Sequence, residues 1–140
     1  MQKVYIASDH AGFHFKNKLI QSLKEYDWYD LGTDSDTSVD YPDYADKLAE
    51  KLKTENAFGL LICGSGQGMV MRANRHKHIR AALCWNEDVA ELARAHNNAN
   101  VLCLGARLID ENLAPQIVKK FISTPFEGGR HVRRVEKLSR

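Results

Sequence analysis

Short apolar runs recur along the chain at VYIAS (4–8), WYDL (28–31), FGLLIC (58–63), IRAALC (79–84) and VLCLG (101–105), each of strand length. Between them the apolar period lengthens to that of a helix. Phe15, Leu19 and Leu23 fall at i, i+4 and i+8, and Tyr44, Leu48 and Leu52 share a face behind Pro42, which suits a first helical turn. Further helices are predicted at about 67–75, 87–97 and 112–121. In the last of these Leu113, Ile117 and Phe121 are in register, and Pro115 keeps its start no earlier than about Asn112, because an interior proline lacks a donor. Strict alternation, with strands too apolar to leave one face wet, predicts an α/β fold: a doubly wound five-stranded parallel sheet with helices on both faces, a Rossmann-like three-layer sandwich.

The chain of 140 residues, 44% hydrophobic and 27% charged, has room for a single domain spanning 1–140. A net charge of +2 is far below the excess expected of a protein held on nucleic acid by phosphate contacts. No apolar run approaches the length needed to span a bilayer, and Val4 to Ala7 is too short for a signal-peptide core, so a soluble protein is expected. Cys63, Cys84 and Cys103 form neither a disulfide framework nor a CxxC pattern, which fits a reducing cytoplasm.

In such a sheet ligands sit outside the carboxyl ends of the strands. Those ends are Ser8 to His10, Gly32 to Tyr41, Cys63 to Gly68, Cys84 to Asn86 and Gly105 to Arg107. At the third, Gly64, Ser65, Gly66, Gln67 and Gly68 lead into a helix, so successive N–H groups can face an anion. Met69 and Val70 replace the Lys-Ser/Thr of a Walker A loop, and the glycine spacing misses the dinucleotide fingerprint. A tight turn with no ligand fits the same residues.

Cys63 reads either as a small buried strand residue or as a functional thiol, since the helix N-terminus beside it favours a thiolate. Cys84 and Cys103 read as core. Asp9 can cap a helix or orient the neighbouring His10. His10 and His14 have helical metal-ligand spacing, and His76 and His78 lie close together, but no carboxylate completes a metal motif. Arg130 and Arg134, at i and i+4 behind Gly128 and Gly129, are placed to grip one phosphate from a helix face.

Five segments in this order, SDHAG (8–12), DYPDYA (40–45), ICGSGQG (62–68), ARAHNNANVLCLGAR (93–107) and FEGGRHVRRV (126–135), resemble the type B ribose-5-phosphate isomerases, over nearly the whole chain. The related galactose-6-phosphate isomerase subunits share several of them. The resemblance implies an aldose-ketose isomerase of the pentose phosphate pathway that needs no metal or cofactor and works through an enediolate. It implies Cys63 as base, with Ser65 moving protons between oxygens and the backbone of Gly64 to Gly68 stabilising the enediolate. Members without the cysteine carry a glutamate where this chain has Met69. His96, with Asp9, would open the sugar ring; Asn97 and Tyr41 would contact the sugar; His10, Arg107, Arg130 and Arg134 would bind the phosphate.

The predicted helix carrying His96 starts at the carboxyl edge and runs back, which sets His96 and Asn97 on the order of 16 Å from the level of Cys63. The expectation is therefore a homodimer with sites shared between subunits, with further pairing into tetramers left open. An isomerase of allose or galactose 6-phosphate, a cysteine-dependent hydrolase built on Cys63, His96 and Asn97, and a non-catalytic flavodoxin-like binding module are the alternatives.

Overall fold

The computed structural model describes residues 1–140. Five strands, β1 (Lys3–Ser8), β2 (Asp27–Asp30), β3 (Phe58–Cys63), β4 (Ala81–Leu83) and β5 (Val101–Gly105), form one parallel sheet in the order β2-β1-β3-β5-β4. Six helices connect and follow them: α1 (Phe13–Ser22), α2 (Tyr41–Lys51), α3 (Gln67–Ala73), α4 (Glu87–Asn97), α5 (Ala114–Ser123) and α6 (His131–Leu138).

The side chains of the strands alternate between two cores. Val4, Ile6, Leu60, Ile62, Leu102 and Leu104 meet α1, α4 and α5 on one face. Tyr5, Ala7, Leu61, Cys63, Val101 and Cys103 meet α2 and α3 on the other. This division follows from handedness. The chain steps outward from β1 to β2 and then reverses toward β3, and a right-handed crossover must change face when its direction reverses. The reversal leaves a crevice between the carboxyl ends of β1 and β3, the place where such sheets bind ligands.

Element boundaries differ from the sequence expectation where edges and caps decide them. β4 shrinks to Ala81–Leu83, since Asn74 takes the backbone N–H and C=O of Ala81 in a side-chain clasp and Ile79 is tied to His76 as a turn. β2 lies one residue earlier than expected, paired from Lys3–Asp27 to Ile6–Asp30. The third helix stops at Ala73 rather than 75. The fifth begins at Ala114, not Asn112, with Pro115 inside its first turn, where the missing N–H costs nothing. α6 starts at His131, so Arg130 is its cap rather than its first residue; Arg130 still has helical angles (φ −62°, ψ −19°), which preserves its i, i+4 relation to Arg134.

Candidate active site

Cys63 ends β3, 5% exposed, with its side chain on the α2/α3 face. The chain then turns through Gly66, whose φ of +78° is left-handed and whose missing side chain leaves room for Leu83 and the backbone of Leu104. That turn brings the Gly66 N–H back to donate to Cys63 Sγ at 3.2 Å. The Gln67 N–H donates to Ser65 Oγ at 3.3 Å, leaving the serine hydroxyl proton free to be given elsewhere. The N–H groups of Gly64, Ser65 and Gly68 have no protein acceptor. Of the five N–H groups expected to form the cradle, that of Gly66 thus serves the sulfur and that of Gln67 the serine, and the other three are unengaged.

Two side chains close over this loop. Tyr41, the first residue of α2 and 38% exposed, lies so close to Gly68 that a methyl there would overlap its ring. The Arg107 guanidinium lies over Gly64, 2.9 Å from where a Cβ would stand, and its backbone N–H is fixed by the Gly64 carbonyl. Beside them, at the end of β1, Asp9 is 6% exposed and caps a 3-10 turn over His10–Gly12 by accepting from the Gly12 N–H at 3.1 Å. The cap uses only Oδ1, which leaves Oδ2 without a protein donor. His10 Nδ1 accepts from the Val39 N–H at 3.2 Å, which turns Nε2 outward as the donor.

A device that sequence reasoning missed holds the loop over these residues. Lys16, 1% exposed, places its Nζ 2.7 Å from both Asp30 carboxylate oxygens and 2.9 Å from the Thr33 carbonyl. Gly32 and Thr33 are in turn paired with Ser8 through backbone bonds of 2.7 and 2.9 Å. The start of the 32–40 loop is thereby pinned, and its far end delivers Val39 to His10 and Tyr41 to Gly68. The signal available in the sequence was a lysine interrupting the apolar face of the first helix, one residue after Phe15.

The remaining predicted residues are elsewhere. Cys63 pairs with Gly105 and Gly59 with Val101, so the body of β5 separates the carboxyl edge from the amino edge by about 13 Å. His96 and Asn97 occupy the last turn of α4, just before Asn98 and Ala99 lead into β5, and so lie at the amino edge. There the His96 ring stacks on His131, centroids 4.4 Å apart and planes within 12°. Glu127 faces both, at 3.6 Å from His96 and 3.8 Å from His131. Burial, and then the charges of His96 and Arg130, hold the His131 pKa below its ordinary value.

Arg130 and Arg134, both exposed, belong to this same amino-edge group. The two imidazoles and Glu127 are close enough to suggest a metal triad, but parallel rings point their lone pairs side by side rather than at one ion. The four histidines considered as ligands do not gather at one point either: His76 and His78 have rings 6.0 Å apart but turn to different partners. His14 faces Asp36 at the surface, while His76 contacts Asp46 and His78 the Ala49 carbonyl.

The three thiols are now distinguishable. Burial pushes Cys84 up to about 12 and Cys103 well above the ordinary thiol range. Only Cys63 has a backbone donor aimed at its sulfur.

The predicted site residues thus fall into two groups at opposite edges of the sheet. Cys63, Ser65, Asp9, His10, Tyr41 and Arg107 stand at the carboxyl edge; His96, Asn97, Arg130 and Arg134 at the amino edge.

A family profile described as Ribose/Galactose Isomerase matches residues 4–138. The ribose-5-phosphate isomerase B of Escherichia coli is 39% identical, over 99% of this chain and 95% of that protein. The crystal structure of a ribose 5-phosphate isomerase from Thermotoga maritima superimposes with a TM-score of 0.96 at 52% identity, covering 99% of this chain and 97% of that one. The ribose-5-phosphate isomerase B of Mycoplasma genitalium, solved with bound ribulose 5-phosphate, gives 0.92 at 42% identity, with 98% and 93% covered. With the profile running almost from end to end and these relatives aligned over nearly their full length, the chain belongs to the ribose/galactose isomerase family.

Proposed function

We propose that this protein interconverts ribose 5-phosphate and ribulose 5-phosphate, a cofactor-free step of the pentose phosphate pathway, and that its active form is a homodimer with two shared sites. The observation that carries the chemistry is the sulfur of Cys63 beside the Gly66 N–H, at the root of a loop with three free backbone donors. That N–H holds the sulfur in place beside the loop, within reach of a sugar carbon whose oxygen the loop donors receive.

The sequence of events follows from the groups present. His96 of one subunit, with Asp9 of the other, moves the protons that open the furanose ring. Cys63 then removes the hydrogen on C2 of the open aldose. The electron pair left behind becomes the enediolate, and its oxygen receives the free N–H groups of Gly64, Ser65 and Gly68, which need no reorganisation to reach it. The Ser65 hydroxyl passes a proton between O1 and O2, and the Cys63 thiol returns the proton to C1, giving the ketose. His10 Nε2 and Arg107 hold the phosphate from one subunit and Arg130 and Arg134 from the other, while Tyr41 and Asn97 contact the sugar.

Sharing rests on reach. His96 lies at the amino edge of the sheet, about 13 Å from the level of Cys63, and a pentose phosphate cannot touch both within one chain. Three free cysteines, one of them catalytic, suit a reducing cytoplasm. The test is turnover in deuterated water without added metal. Solvent deuterium should appear in the sugar at the carbons adjacent to the carbonyl, and Cys63→Ala should abolish the exchange; exchange that persists in Cys63→Ala, or requires added metal, would overturn the assignment.

A further inference from the structure

At the amino edge, on the far side of α4 from His96, a cleft of about 450 Å³ is lined by Arg80, Arg94, Asn56, Asn98, Asn100 and Glu55, among others. Its two arginines come from different elements, one entering β4 and the other in α4. Arg94 is 9% exposed. Its Nε donates to the Thr124 carbonyl at 3.1 Å, its Nη1 goes to Asn98 Oδ1 and the Ala99 carbonyl, and its guanidinium lies over the ring of Phe58. Arg80 Nε donates to the Asn98 carbonyl at 2.7 Å. Both side chains are thus fixed by neutral acceptors, at the end of α4 and, for Arg94, also at the end of α5.

Those bonds leave donors over. Both terminal nitrogens of Arg80 and Nη2 of Arg94 have no protein acceptor. Neither arginine pairs with a carboxylate, and the one acidic residue lining the cleft, Glu55, is held by Lys3 at 3.1 Å. Two guanidinium groups held on one asparagine, Asn98, without a counter-charge repel, and Arg94 is depressed by its burial and then by Arg80. Asn56, exposed on the rim, has its amide unengaged.

We propose that Arg80 and Arg94 form a binding site for a small phosphoryl-type oxyanion, separate from the sugar-phosphate site. Planar forks from two elements, both anchored on Asn98 and both lining the cleft, offer donors to several oxygens of a tetrahedral anion. Its occupant would neutralise the repulsion and take the unused donors, with the Asn56 amide at the rim.

The Nε–H groups of Arg80 and Arg94 are both hydrogen-bonded to carbonyls, which slows their exchange with water and makes them usable NMR reporters. Isotope-labelled protein is titrated with inorganic phosphate, with sodium chloride at matched ionic strength as reference. Both signals should shift saturably with phosphate and stay still in chloride. Asn56→Asp, a rim change that leaves the core untouched, should weaken the response about 10-fold or more by placing a competing negative charge in the cleft. Arg107→Ala should leave the response intact, because Arg107 stands at the opposite edge. Signals that ignore phosphate, an Asn56→Asp response equal to wild type, a stronger response to acetate, or loss of the response in Arg107→Ala would each overturn the proposal.

Discussion

The two edges of the sheet present chemistry by different means. At the carboxyl edge the reactive groups are backbone amides and a nearly buried thiol, held by a left-handed glycine turn and by a loop that Lys16 pins from below. At the amino edge they are side chains on helix ends: His96 is more than a third exposed, and Asn97, Arg130 and Arg134 face solvent. The first group is fixed before any ligand arrives, because its donors are part of the fold. The second is fixed only through the α4 cap and the His96–His131 stack, and its arginines are exposed. Under the proposed function the rigid edge performs the proton chemistry and the exposed edge of a second subunit supplies ring opening and half of the phosphate grip.

The largest effect should come from the rigid edge. Cys63→Ala is expected to lower kcat by about 10³-fold or more with little change in substrate binding, measured by steady-state kinetics and calorimetry. Cys84→Ala and Cys103→Ala should leave kcat unchanged and cost about 1 kcal/mol of stability through the small cavity each leaves. Equal losses of kcat for all three would erase the distinction between the thiols.

Lys16→Met breaks the pin under the loop. The Thr33 carbonyl loses its donor and the Asp30 carboxylate its counter-ion, a loss of about 2 kcal/mol in denaturant unfolding. KM should rise as well, since His10 and Tyr41 are positioned by the far end of the same loop. A stability loss with unchanged kinetics would separate the pin from the site.

At the exposed edge Arg134→Ala should raise KM for a phosphorylated sugar about 10-fold with kcat nearly intact, since one arm of a charged grip is lost and the chemistry is elsewhere. A change confined to kcat would contradict that division of labour. The smallest effect concerns His131. Its folded pKa lies below the ordinary 6.5, so the unfolded chain binds the extra proton first. Stability is therefore full above that value and falls as pH drops through 6.5 toward the folded pKa. His131→Gln should flatten the dependence over that window in thermal melts; an unchanged slope would assign it to another group.

The alternation of apolar runs was enough to predict the sheet, its parallel sense and both helical layers, because strands buried on two faces must be apolar throughout. The glycine loop, Cys63 and Asp9 were legible for a similar reason: they sit where strands end, and strand ends are visible in the pattern. The Lys16 pin was not, since its meaning depends on Asp30 and Thr33, which only the folded chain brings near. The partition of the loop's donors was equally hidden. It depends on a φ of +78° at Gly66 that many glycine-rich turns would not adopt. The His96–His131 stack joins residues from two helices through the Glu127 N–H bond to Ala95, a contact with no local signature.

Under the proposed function the two edges belong to one site in different subunits. Cys63→Ala and His96→Ala proteins, each nearly inactive alone, are unfolded together, refolded and assayed. Half of the dimers formed at random are mixed, and each mixed dimer has one site with both residues intact, so activity should return to about a quarter of wild type. A mixture that contains proven mixed dimers yet stays as inactive as its components would show that the two edges do not share a site.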